Sequence, residues 1–319
     1  MMYKLLFFRT LVGICLACSV AWLVACSESS TPSAPSEPWG EKHFLWKVSD
    51  ENSSVWLLGS IHVANASFYP LPTVIDSAFT AANELAVEIN MSDAYVVSEV
   101  QWLMNRHGML IDGTLHDKLP ITLWYSLDSL CTAWNLPVST FESMRPWLVA
   151  TTISSYAYIR AGLKSEYGID NVFMRKATEG GKPIISLETA EEQIEALAGS
   201  SESDSAGICL LKSTMRELPG VKPLIRNLVK AWKTGDDELL NSLLNEENVQ
   251  DYTPSEVLYM EEFKQRLLAN RNVKMADSVA SFLRDDRNVF FVVGVAHLAF
   301  EEYNVIENLR NQGFVVERY

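Results

Sequence analysis

The chain has 319 residues, is 48% hydrophobic, and carries 26 basic against 40 acidic side chains, for a net charge of −14. A body this acidic has no electrostatic case for binding nucleic acid or anionic lipid. It is long enough to bury a large core in one elaborated domain or two interleaved halves.

The first 25 residues read as an export signal. Lys4 and Arg9 form a short basic region, and residues 11–25 form an apolar run too short for a comfortable membrane span. Leu23-Val24-Ala25-Cys26 resembles a bacterial lipobox, so 1–25 is read as a lipoprotein signal peptide with Cys26 lipidated. An ordinary signal peptide with a chance Cys is the plainer alternative. Ser27 after the Cys resembles outer-membrane sorting. The expected location is therefore the bacterial envelope, at the periplasmic face of the outer membrane, with membrane contact through the lipid anchor. Residues 26–41 are Ser/Pro-rich and read as a flexible tether, leaving 42–319 as the folded domain. Cys131 and Cys209 then remain. Both lie in apolar helical patterns, which favours buried thiols over a disulfide.

Residues 43–48 and 55–60 predict two strands joined by the turn cluster Ser49-Asp50-Glu51-Asn52-Ser53-Ser54, a β-hairpin. The second strand runs into Gly59-Ser60-Ile61-His62. Val74, Ile75, Ala78, Phe79 and Ala82 recur on one helical face, and Leu85-Ala86-Val87-Glu88-Ile89 reads as the next strand. From about 92 to 286 the pattern is mostly helical, apart from a strand over 182–188. Thr189 with Glu192 predicts a capping box, and Gly199 a helix stop. Residues 200–207 read as a loop, and helices are predicted over 224–232, 238–244, 259–269 and 273–283. The opening theme then returns. Val289-Phe290-Phe291-Val292-Val293 leads into Gly294-Val295-Ala296-His297, followed by a helix over 301–311 and a strand over 314–318. The predicted fold class is α/β, in an α+β variant. Duplicated strand–Gly-x-x-His–helix–strand halves form one central sheet, with a large helical insertion over about 92–286. The parallel extends to an acid in each second strand, Glu88 and Glu317.

A strand that ends at Gly and then presents His places an imidazole at the carboxyl end of a sheet, where open α/β sheets hold their sites. Two such strings predict His62 and His297 in one place. Glu88 interrupts an apolar strand, and a buried carboxylate is costly unless it is paired, hydrogen-bonded or metal-bound. Two imidazoles and a carboxylate suit a divalent metal with an open position for water. Zinc is possible on these donors. Glu88 reads as either ligand or general base. Arg145, before Pro146-Trp147, is a candidate either to orient a substrate carboxylate or simply to pair with one of the chain's many acids. Glu188 and Gln193 are candidates to line the site, although helix-start electrostatics account for them equally well. Asp170 and Asn272 read as helix caps, Asn272 beside Arg271. No Gly-x-Ser-x-Gly, Walker or His-Glu-x-x-His string is present.

Leu57-Leu58-Gly59-Ser60-Ile61-His62-Val63 and Tyr69-Pro70-Leu71-Pro72 resemble motifs of the TraB/GumN family. So do Leu85-Ala86-Val87-Glu88, Tyr167-Gly168-Ile169-Asp170, Leu187-Glu188-Thr189-Ala190-Glu191-Glu192-Gln193, Arg271-Asn272 and Val293-Gly294-Val295-Ala296-His297-Leu298. The resemblance runs over about 43–319 in order. It implies kinship with the Tiki proteins, membrane-tethered metalloproteases that clip Wnt ligands with manganese or cobalt. It also implies distant kinship with the erythromycin esterase group and its duplicated α/β core. Bacterial members include a protein that limits a peptide-pheromone response and one from an exopolysaccharide cluster. By position, His62, Glu88 and His297 become the metal or catalytic residues. Arg145, Asp170, Glu188 and Arg271-Asn272 match family positions without a settled role, and Arg145, Glu188 and Arg271 are taken as substrate-binding. The expected function is an envelope-anchored, metal-dependent hydrolase, a metallopeptidase acting on peptides or protein termini. The alternative is a lipoprotein that sequesters a peptide or small ligand without cleaving it.

Overall fold

The computed structural model describes residues 38–199, 204–245, 252–300 and 303–319. The predicted signal peptide, Cys26 and most of the predicted tether lie outside them. No described helix is long and apolar enough to cross a membrane.

Six strands form one mixed sheet: β1 (Leu45–Ser49), β2 (Ser54–Ser60), β3 (Glu84–Val87), β4 (Ile184–Ser186), β5 (Val289–Gly294) and β6 (Val316–Arg318). Their order is β4-β3-β5-β2-β1-β6. The predicted hairpin is β1–β2, paired antiparallel with Leu45 opposite Leu58 and Val48 opposite Val55. Asp50 organises its turn by accepting from the amides of Asn52 and Ser53 at 3.0 and 2.7 Å. β5 lies between two parallel neighbours, β2 and β3. Every residue of β5 is buried, and its uninterrupted apolar run follows from having both faces covered. Phe79, from the Thr73–Ala81 helix, and Phe173, from the Ile169–Glu179 helix, both pack on Phe290, with ring centroids 5.5 and 4.8 Å away.

The two Gly-x-x-His strings end adjacent parallel strands, with Gly59 opposite Val293 and Ser60 opposite Gly294. A Cβ on Gly59 would lie 2.8 Å from the Val295 side chain, so the first motif's glycine lets the second motif's helix approach. Beyond this point the halves diverge. The connection from β2 to β3 passes over one strand, whereas that from β5 to β6 passes over two and ends at the far edge of the sheet. Glu317 therefore pairs in register with Lys47 and is exposed, while Glu88 is buried.

Three local expectations need correction. The predicted loop at 200–207 already contains helix from Ser205 onward, in Ser205–Glu217. The separate helices expected over 259–269 and 273–283 form one continuous rod. Pro254–Lys264 passes through a single π-helical turn, Gln265–Ala269, into Asn270–Arg284. The single helix expected over 301–311 is instead Val295–Ala299 followed by Val305–Asn311. The capping box at Thr189 and Glu192 and the stop at Gly199 are present as predicted. Cys131 and Cys209 are buried thiols not joined in a disulfide.

Candidate functional site

His62 follows β2, Glu88 follows β3, and His297 sits in the short helix after β5, so three parallel strands deliver them to one edge of the sheet. All three are buried. The Nε2 atoms of His62 and His297 lie 3.7 and 3.8 Å from the same oxygen, Oε1 of Glu88, and neither has a hydrogen-bond partner. That oxygen accepts from the Gly294 amide at 2.8 Å. The second motif's glycine thus supplies a backbone donor to the carboxylate as well as the turn that places His297.

Arg271 organises the rest. It donates to both oxygens of Glu188, from Nε at 2.6 Å and Nη2 at 2.7 Å, and Nη2 also reaches Glu88 Oε2 at 2.5 Å. Nη1 donates to the Leu267 carbonyl at 3.0 Å, inside the π-helical turn. π turns are frequent at functional sites, and here one lies within a helical turn of the guanidinium that bridges two buried carboxylates. Gln193 Nε2 approaches Glu88 Oε2 at 3.5 Å.

Burial alone would push the Glu88 carboxyl up. Arg271, the two flanking imidazoles and the Gly294 amide outweigh it and hold the group well below the usual carboxylate range. Glu188 moves the other way. Its burial dominates, Arg271 opposes the shift, and the charge on Glu88 adds to it. Burial takes the His297 imidazole down to about 3, helped by Arg271, so the ring is neutral. Burial also lowers His62, but the charges of Asp170 and Glu88 outweigh it and raise the ring above its ordinary value.

Asp170 is not the helix cap expected of it. Gly168 occupies that position, and Asp170 is buried in the first turn with Oδ2 3.0 Å from His62 Nδ1. The loops that carry the pair are laced together. Ile169 N–H donates to the Ile61 carbonyl at 3.1 Å, and a Cβ on Gly168 would lie 2.3 Å from the His62 carbonyl oxygen. The Tyr69 hydroxyl donates to the Tyr167 carbonyl at 2.7 Å. Asn272 does not cap a helix either, because the helix runs on through it. Its Oδ1 lies 2.6 Å from His297 Nδ1. Both residues belonged to short strings worth attention in the sequence, but their partners are far away along the chain. Arg145 stands apart. Its Nε is 3.8 Å from Asp204, and it does not line the cavity beside His62. That cavity is bordered by His62, Glu88 and Asp170 together with Ile89, Met174 and Gln193.

In kind, two unpartnered imidazole nitrogens and a carboxylate oxygen fit a divalent cation. In arrangement, no three His, Cys, Asp or Glu side chains among the described residues converge as a formed metal cluster. Arg271 meanwhile holds the second oxygen of Glu88.

The chain is 25% identical over 272 residues to YbaP, an uncharacterized protein of Escherichia coli (strain K12), covering 84% of this chain and 94% of that one. An uncharacterized protein of Treponema pallidum (strain Nichols) is 20% identical over 237 residues, covering 74% and 71% respectively. Metalloprotease TIKI2 of Xenopus tropicalis is 24% identical over 317 residues, 86% of this chain but only 59% of the longer relative. No solved structure matches. The family model for TraB/PrgY/gumN matches residues 44–318, which takes in every strand and all three converging side chains, and the chain belongs to the TraB/PrgY/gumN family.

Proposed function

We propose that this protein is a metal-dependent hydrolase of the bacterial envelope, a metallopeptidase acting on peptides or protein termini, anchored through a lipid on Cys26. The observation that carries this reading is the pair of buried Nε2 atoms, without hydrogen-bond partners, flanking one oxygen of a carboxylate held ionised. The similarity to a protein named a metalloprotease supports it. His62, Glu88 and His297 would hold the ion. A divalent cation bound there would polarise the scissile carbonyl and acidify a water molecule; manganese, cobalt and zinc are the ions to test. The chain's own groups prepare the site. The Gly294 amide and Arg271 keep Glu88 charged, Asp170 orients His62, and burial excludes bulk water. Arg271, fixed to Glu188, anchors the second oxygen of Glu88, and neither Arg271 nor Glu188 lines the cavity beside His62.

A second reading draws on the His62–Asp170 pair. A buried imidazole backed by a carboxylate is a general base, so His62 would take a proton from an attacking water while Asp170 stabilises the imidazolium. Chelation separates the two readings. The full chain is purified, its metal content measured, and turnover of a peptide library followed after metal removal and after adding back manganese, cobalt or zinc. Turnover lost on chelation and restored by one ion is expected. Turnover that survives complete metal removal overturns the metal-dependent reading in favour of His62 as base. Saturable peptide binding without turnover overturns both in favour of a sequestering protein.

A further inference from the structure

The Nδ1 atoms of the two histidines face partners of different chemistry: the carboxylate of Asp170 at His62, and the amide of Asn272 at His297. The orientation of that amide is fixed on its other side, where Nδ2 lies 3.0 Å from the backbone carbonyl of Tyr303. A carbonyl oxygen only accepts, so the group facing it is the NH2. The amide oxygen therefore faces His297. It too only accepts, so Nδ1 of His297 must carry the proton across the 2.6 Å contact. Nε2 finds no acceptor within hydrogen-bond distance that would hold a second N–H. Nε2 is therefore bare, and it is the atom that stands beside Glu88 Oε1 without a hydrogen-bond partner.

We infer that Asn272 is a positioning residue that locks His297 in its Nδ1–H tautomer, with the Tyr303 carbonyl setting the orientation of the amide. His297 then serves the site only as an acceptor or ligand through Nε2 and cannot act there as a proton donor. Two electron-pair donors, Nε2 and a carboxylate oxygen, face one another across 3.8 Å, an arrangement that asks for a cation or a donated proton between them. The tautomer itself follows from the hydrogen bonds. Its consequence for turnover rests on the hydrolase reading above, and the two fail separately.

The test is a ring-nitrogen NMR experiment on the full chain, labelled with 15N-histidine and freed of metal, with His297 assigned by its loss in His297→Asn. The wild-type ring is expected to show a protonated Nδ1 and an unprotonated Nε2. Asn272→Asp retains an acceptor toward Nδ1 and should keep that nitrogen protonated. Asn272→Leu, of similar volume, removes the acceptor and should bring up the Nε2–H form. If the protein turns over peptide, Asn272→Leu should lower kcat by about 10-fold or more with little change in KM, and Asn272→Asp should recover more of it than Leu does. Turnover that is absent from the wild type defeats the hydrolase reading and leaves the tautomer measurement standing. A wild-type Nε2–H signal, or an Asn272→Leu variant that folds with its tautomer unchanged, overturns the inference. Should the Leu variant not fold, the wild-type and Asn272→Asp spectra decide the matter.

Discussion

The two Gly-x-x-His ends start alike and finish differently. Each glycine ends a parallel strand, and the strands are neighbours in register. At the first end the imidazole is backed by a carboxylate, on a loop laced to the segment before the Ile169–Glu179 helix. At the second it is backed by an amide from a long helix, and its own glycine donates to Glu88. A carboxylate partner supports an imidazolium, whereas a buried amide beside Arg271 does not. Repetition of a motif therefore does not repeat its chemistry. The residue behind each ring assigns the role, and that residue comes from elsewhere in the chain.

The largest way to break this arrangement is at the group that serves neither histidine directly. Arg271→Leu leaves Glu88 and Glu188 buried without their shared cation, and it should cost about 3–5 kcal/mol in urea unfolding. A loss below about 1 kcal/mol would mean that the carboxylates are not held as described.

Next come the converging side chains. His62→Ala, Glu88→Gln and His297→Ala should each lower metal retention and peptide turnover by at least about 100-fold while the far-ultraviolet circular dichroism stays native. His116→Ala, on an exposed ring, is the control and should behave as wild type. If His62→Ala and His297→Ala differ, with metal kept in the first and lost in the second, the His62–Asp170 base reading gains.

The pH dependence of stability separates the two rings by sign. The folded value of His297 is about 3 against an ordinary 6.5, so between them the unfolded chain takes up a proton that the native state refuses. Stability should fall as the pH drops below 6.5, by up to about 1.4 kcal/mol per unit. The folded value of His62 is raised. Its contribution is full below 6.5 and is lost as the pH climbs through that folded value. The depressed carboxyl of Glu88 adds an acid-side loss only below its ordinary 4.5. In metal-free protein, His297→Asn should therefore flatten the decline between pH 6.5 and 4.5, and His62→Asn the decline on the alkaline side. Equal slopes in both variants would erase the distinction between the rings.

The smallest effect is expected at Arg145, which lies by Asp204 and away from the site. Arg145→Ala should change stability by about 1 kcal/mol or less and leave metal retention untouched. A large rise in KM would restore it to the substrate surface.

Much of the frame was legible in the sequence because its causes are local. Val289 to Val293 read as a strand because an unbroken apolar run suits a strand covered on both faces. The 49–54 cluster read as a turn, and Thr189 with Glu192 as a helix start, because the groups that hydrogen-bond there lie within three residues of each other. The convergence of His62, Glu88 and His297 was legible for another reason. Strand ends carry their next residues to the same edge of a parallel sheet, and a lone acid in an apolar strand demands a partner. The identities of those partners belong to the tertiary structure alone. Arg271 meets Glu88 across 183 positions of sequence, and Gly294 meets it across 206. Asp170 and Asn272 look like caps because a short polar residue near a helix start satisfies local amides in most contexts. Only packing reveals that one faces an imidazole and that the other sits inside a continuing helix. The same holds for the divergence of the halves. The sequence repeats strand, Gly-x-x-His, helix and strand, but whether a crossover passes one strand or two is set by what already occupies the sheet. That placement leaves Glu88 buried among charges and Glu317 in solvent.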